Sequence, residues 1–128
     1  MSKINAAMER LLNETSIWVL ASADKNGTPN AVPIFFTKIL DNGKLLLVDN
    51  FMNKTLENIQ QNPGVSVSVW QDKEGYQFKG PAVIETAGAN FKQGKELAKD
   101  RNPKGVVVVE VTSVYTTAPG PDAGKKLL

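Results

Sequence analysis

Residues 28–63 read "TPNAVPIFFTKILDNGKLLLVDNFMNKTLENIQQNP", and the order of signals in this stretch decides the fold. "TPNAVPIFFTKIL" (28–40) is rich in β-branched and aromatic residues and predicts a long strand. Pro29 and Pro33 lie inside it. Lacking an N–H, each must avoid a ladder position, at an edge or a bulge. Phe35 and Phe36 are adjacent, so within a strand they point to opposite faces. "DNG" (41–43) predicts a hairpin turn, and "KLLLVDN" (44–50) the returning strand. A helix follows from about Asn53 to Gln61, with Leu56 and Ile59 on its buried face. Asn62-Pro63-Gly64 ends it.

The first turn of that helix collects Asn53, Lys54 and Thr55. Asn53 suits the N-cap. A helix N-terminus leaves free N–H groups and a partial positive charge, to which phosphate binds readily. A point charge from Lys54 and a hydroxyl from Thr55 would add to it. The plainer reading is an ordinary capped surface helix.

Outward from this stretch the same alternation continues. Ile4, Met8, Leu11 and Leu12 form one apolar stripe, predicting a helix over 3–13. "SIWVLASAD" (16–24), "VSVSVW" (65–70), "YQFKGPAVIETA" (76–87) and "GVVVVEVTSVYTT" (105–117) predict strands, with Gly80-Pro81 marking a bulge or bend. "NFKQGKELAKD" (90–100) predicts a short helix with Phe91, Leu97 and Ala98 inward. The tail "APGPDAGKKLL" holds too much Pro and Gly for regular structure. Six strands joined mostly by tight turns, with helices only at the entrance and two connections, predict a mainly β fold with peripheral helices. The sheet is antiparallel and closes into a small barrel. No linker divides residues 1–128, which read as a single domain.

Composition narrows the chemistry. The chain of 128 residues has no cysteine and no histidine. Thiolate chemistry is excluded, as are the commonest general base and metal ligand. The net charge of +2 is small and scattered, which excludes a nucleic-acid surface or a polybasic membrane arm. The amphipathic N-terminus does not read as a signal peptide, and no apolar run approaches the roughly 20 residues that span a bilayer. The expectation is a soluble, cytoplasmic protein.

Four pieces in order carry a resemblance: Gly27-Thr28-Pro29, Asn53-Lys54-Thr55, Asn62-Pro63-Gly64-Val65-Ser66, and "YQFKGPAV" (76–83). Together they resemble the flavin-binding split-barrel family of pyridoxamine 5′-phosphate oxidase and its small FMN-binding relatives. The resemblance covers residues 15–88 well and implies a six-stranded antiparallel split β-barrel of FMN-binding type. It also implies where FMN lies. The phosphate would sit on Asn53, Lys54 and Thr55, beside Met52. The isoalloxazine would lie against Pro33, Ile34 and Phe35, flanked by Val48, Asp49 and Asn50. Small members of the family are homodimers with the flavin at the subunit interface, so groups from a second chain are implied as well. Trp70, Gln77 and Lys79 are candidates, as is the tail. For Trp70 the alternative is core packing, and for Lys79 a solvated strand position.

The chain departs from the oxidase proper, which carries Arg and His near its C-terminus, whereas here the last Arg is Arg101. The resemblance therefore implies a small FMN-binding redox protein rather than a pyridoxamine phosphate oxidase. Its electron donor and acceptor are not legible. The alternatives are a flavin-holding module without turnover and a protein that uses a deazaflavin in a similar groove.

Overall fold

The structure is a computed structural model and describes residues 3–128. Its elements are α1 (Ala6–Glu14), β1 (Trp18–Ala23), β2 (Pro29–Ile34), β3 (Thr37–Ile39), β4 (Leu45–Asp49) and α2 (Lys54–Gln61). They continue as β5 (Gly64–Gln71), β6 (Glu74–Glu85), α3 (Ala89–Leu97), β7 (Gly105–Val109) and β8 (Ser113–Thr116). Every strand pairing is antiparallel. The path of neighbours runs β2-β1-β5-β6-β7-β4-β3, and β8 pairs with β6 off that path. The sheet curls into a half-barrel whose end strands, β2 and β3, stay unpaired with one another.

Two strands expected to be continuous are broken, which raises the expected six to eight. The first break falls at Phe35 and Phe36, between β2 and β3. The chain bends there, and the Phe36 carbonyl accepts from Val48 N–H at 3.0 Å. The two rings do part company, but from a bend and not from a pleated strand: Phe35 is 61% exposed while Phe36 packs on a buried cluster. The second break separates β7 from β8. Long β6 pairs with β8 through residues 76–79 and with β7 through 82–85. Gly80-Pro81 is the switch between the two partners, as the bulge reading anticipated. A Cβ on Gly80 would collide with the backbone carbonyl of Glu110.

Pro29 and Pro33 lie on β2, an end strand with β1 on only one side. They cost no ladder bond toward a second neighbour. The runs "LLLVD" and "GVVVV" are buried at every position. Both faces of these strands are covered. Leu45, Leu47, Val107 and Val109 face the barrel core with Trp18, Leu20 and Phe78. Leu46, Val48, Val106 and Val108 form a second cluster with Ala98 and Phe91. Helix α3 packs on that side: Gly94 lies so close to Val106 that a Cβ there would clash. Leu97, expected inward, is 37% exposed at the helix end. Helix α1 closes the barrel with Met8, Leu11 and Leu12, capped by Asn5 Oδ1 accepting from Met8 N–H at 2.9 Å. The Trp18 indole donates to Leu12 O at 3.1 Å and ties β1 to that helix.

The tail is more regular than its composition predicts. It turns back along β8, with Leu127 N–H donating to Val114 O at 2.7 Å and Thr116 N–H to Lys125 O at 3.0 Å. Gly120 and Gly124 have positive φ and supply the reversal.

Candidate functional site

Where the barrel fails to close, a groove of about 690 Å³ opens between β2, the end of β4 and the start of α2. This volume lies within the usual range of small-molecule sites. Its walls are apolar: Val32, Ile34 and Phe35 on one side, Val48, Phe51 and Met52 on the other. One end is polar and carries Asn53, Lys54 and Thr55 with Asn30. Among the sequence-derived candidates, Pro33, Ile34, Phe35, Val48, Asn50, Met52, Asn53, Lys54 and Thr55 all line it.

Helix α2 is held so that its first turn faces the groove. Asn58 Nδ2 donates to Ser22 Oγ at 3.0 Å, a buried bond that fixes the helix on β1. Thr55 is only 1% exposed, and its Oγ1 accepts from Asn30 Nδ2 at 3.3 Å. That leaves the Thr55 O–H as a donor. Asn53 stands at the N-cap position, and its carbonyl accepts from Glu57 N–H at 3.2 Å, but its side chain makes no cap bond. The expected side-chain cap is thus absent, and the Asn53 amide is not engaged by the helix. Lys54 is exposed and has no acidic partner among the described residues. Asn50 Oδ1, on the groove wall, is buried without a hydrogen-bond partner among the described residues. An orphaned buried acceptor of this kind calls for a donor.

The other four candidate residues, Asp49, Trp70, Gln77 and Lys79, fall elsewhere. Asp49 does not line the groove. It is 2% exposed, its Oδ1 accepting from Met52 N–H at 2.9 Å with Lys104 Nζ at 3.8 Å. It shapes the 50–53 loop from behind, because a short carboxylate next to a tight turn satisfies the turn's own N–H. Trp70 and Gln77 stand apart from the groove of their own chain. Trp70 is 58% exposed, so it is not a core residue. Register places Gln77 beside Ser68, and Ser68 beside Val19, which faces Pro33. Cross-strand partners share a face. Pro33, Val19, Ser68 and Gln77 therefore form one row on the outer surface, parallel to Ala31, Ala21, Ser66 and Lys79. Lys79 is exposed, as the solvated strand reading expected, with its ammonium 4.6 Å from the centre of the Tyr115 ring.

Sequence reasoning missed Asn30, Val32, Phe36, Phe51 and Arg101 on the groove wall. Phe51 is 85% exposed, and an aromatic in a polar loop was the one signal available. Arg101 had none, since it comes from the turn between α3 and β7, far in sequence from the rest of the wall.

The perturbed titrations lie away from the groove. A hydrogen bond from Arg10, at 2.7 Å, holds the Glu74 carboxyl below its usual range and raises Arg10 in turn. Burial, with Glu74 nearby, pushes the Tyr76 phenol up. Among the described residues, no three potential metal-ligating side chains cluster together.

The sequence model of the pyridoxamine 5′-phosphate oxidase family matches residues 4–118. The chain belongs to the pyridoxamine 5′-phosphate oxidase family. A relative of this family member, an uncharacterized protein of Methanocaldococcus jannaschii, is 42% identical over 119 residues, covering 88% of this chain and 80% of the other. The crystal structure of Group A Streptococcus HupZ superposes with a TM-score of 0.82 at 28% identity, covering 94% of this chain and 99% of that one. An FMN-binding protein from Syntrophomonas wolfei superposes with a TM-score of 0.78 at 14% identity, covering 88% and 84%. That last likeness is one of fold. The split barrel is thus the family's architecture, and no helix among the described residues is long and apolar enough to cross a membrane.

Proposed function

We propose that the groove binds FMN and that the protein is a redox flavoprotein distinct from the oxidase that gives its family a name. The observation that carries this reading is the polarity of the groove: apolar walls ending at a helix N-terminus with an Asn53 amide that makes no cap bond, Lys54, which has no acidic partner among the described residues, and the Thr55 hydroxyl. A planar, largely apolar ring with a phosphate at the end of a short chain matches that arrangement. FMN supplies the redox chemistry when bound. The chain's own part is binding, orientation and exclusion of water. Lys54, Thr55 and the first N–H groups of α2 hold the dianion. Ile34, Val48 and Met52 give the ring an apolar bed. Asn50 Oδ1 offers an acceptor to a ring N–H.

The protein acts as a homodimer in this reading. The outer face formed by β1, β2, β5 and β6 carries small and apolar side chains, with Ala21, Ala31, Ser66 and Ser68 half-buried or exposed around exposed Trp70. A second copy packed there would bring its Trp70 and Gln77 toward the mouth of the groove beside Pro33. A deazaflavin is the second reading, favoured by Arg101, a cation on the wall beyond those of the helix turn.

The test is the absorption spectrum of purified protein and the mass of the ligand released from it. A flavin band and the FMN mass support the proposal. A band at shorter wavelength with a larger mass selects the deazaflavin. A colourless protein that takes up neither refutes both. Anaerobic mixing with NADPH or NADH then tests reduction, and a bound flavin that neither reduces points to a holding module.

A further inference from the structure

The loop that joins β4 to α2 forms much of one groove wall: Asn50, Phe51, Met52 and Asn53 all line it. Little within the loop holds it. Phe51 is 85% exposed and belongs to neither apolar cluster, and the Asn53 side chain makes no cap bond. Asn50 Oδ1 is buried without a hydrogen-bond partner among the described residues. Met52 is the loop's own anchor, with its side chain in the core and its N–H donating to Asp49 Oδ1 at 2.9 Å. The remaining support comes from behind, from Lys104, which does not line the groove. Lys104 N–H donates to Asp49 O at 2.9 Å, and its Nζ donates to Met52 O at 2.8 Å. The same ammonium lies 3.8 Å from the Asp49 carboxylate, which is 2% exposed. One residue thus clasps the loop from Asp49, just before it, to Met52. The chain brings Lys104 there by a constrained route: Asn102 has φ 52°, and Pro103 is buried. A left-handed non-glycine backbone persists only where its surroundings over-determine it.

We propose that Lys104 is a positioning residue: a latch, placed just before β7, that holds the 50–53 loop in its binding form before any ligand arrives. The proposal rests on the flavin reading for the identity of the ligand, but the latch is a property of the free protein. A loop ordered in advance spares the ligand the entropy of ordering it. The loop carries Asn50 and Met52 as well as Asn53, so the latch serves the ring wall of the groove as much as the helix turn. Its loss therefore weakens ligands with and without a phosphate alike, and acts mainly on the rate of release. That separates Lys104 from Lys54, whose removal touches only ligands that carry a phosphate.

The experiment compares Lys104→Met, Lys104→Arg and the double variant Asp49→Asn/Lys104→Met with the wild type. Amide exchange at residues 50–54 is read first in ligand-free protein, then binding of FMN and riboflavin by fluorescence titration and stopped flow. Lys104→Met alone leaves the buried Asp49 carboxylate without its counter-charge, so its melting temperature should fall. The double variant removes that charge, and the new amide oxygen still accepts from Met52 N–H, so its melting temperature should recover. Its loop should stay unlatched. Exchange at 50–54 should be faster than in the wild type, and affinity for both ligands should fall by about tenfold through faster release. Lys104→Arg keeps the cation and should lie between. Wild-type exchange at 50–54 in the double variant overturns the latch, whether or not a flavin binds. Failure of the flavin reading is thus distinguishable from failure of this one. Faster exchange with unchanged affinity for both ligands overturns the positioning role, and so does a loss confined to FMN.

Discussion

Replacing Lys54 with Ala isolates the phosphate contact from the rest of the groove. Lys54 is the first residue of α2, is exposed, and has no acidic partner among the described residues. Its removal leaves no carboxylate orphaned, and Ala is a good helix former, so stability should change by less than about 0.5 kcal/mol. Charge-assisted hydrogen bonds contribute roughly 1.5–3 kcal/mol. Exposure places Lys54 at the low end of that range, since water competes for both partners. At about 1.4 kcal/mol per tenfold, FMN affinity should fall by roughly ten- to twentyfold. Riboflavin has no phosphate, and its affinity should stay within about twofold. Fluorescence titration of both ligands against apoprotein measures the contrast, with Lys99→Ala as a surface control. Thr55 is less clean: it is buried and accepts from Asn30, so Thr55→Ala would leave that amide unpaired and cost about 1–3 kcal/mol of stability as well. Thr55→Ser keeps the hydroxyl and is the better companion. Equal losses of FMN and riboflavin in Lys54→Ala, or none, would show that the phosphate lies elsewhere and that the residues 53–55 only begin a helix.

Gly80→Ala should destabilise the protein by about 3 kcal/mol or more, because the new methyl meets the Glu110 backbone, which cannot move without breaking β6 from its two partners; a melting temperature within a few degrees of wild type contradicts the partner-switch account. The folded-state carboxyl of Glu74 titrates below its usual range because Arg10 bonds it. Its contribution is therefore present at neutral pH and lost as the pH falls through that lowered value. Glu74→Gln should flatten the acid side of the stability curve, and the difference should shrink in high salt because the pair is exposed. Deleting residues 124–128 strips the β8 edge of its returning chain and should lower the melting temperature by several degrees, read by calorimetry. Ala21→Glu places a charge in the middle of the flat outer face; sedimentation should report monomers and FMN should bind more weakly, whereas an unchanged dimer moves the interface to another surface.

The sequence by itself determined which segments become strands and helices, because those choices are local. The periodicity of residues 3–13, the turn at 41–43, and the stop at Asn62-Pro63-Gly64 all act within a few residues of where they lie. The candidate groove was legible in part: the residues alone marked the Asn53-Lys54-Thr55 turn, and the family resemblance supplied Pro33, Ile34, Phe35, Val48 and Asn50. What only the tertiary structure decided was long-range. Whether "TPNAVPIFFTKIL" runs on or bends at Phe35 depends on Val48, which bonds the Phe36 carbonyl from another strand. Whether "GVVVVEVTSVYTT" is one strand or two depends on Gly80, thirty residues earlier. Asp49, which the resemblance placed beside the ring, turns inward, where the Met52 amide and Lys104 meet it. Arg101 came to the groove only through the turn between α3 and β7. A side chain's partners are set by chain closure over many residues, and the free energy of such a contact leaves no mark on the local pattern of either segment.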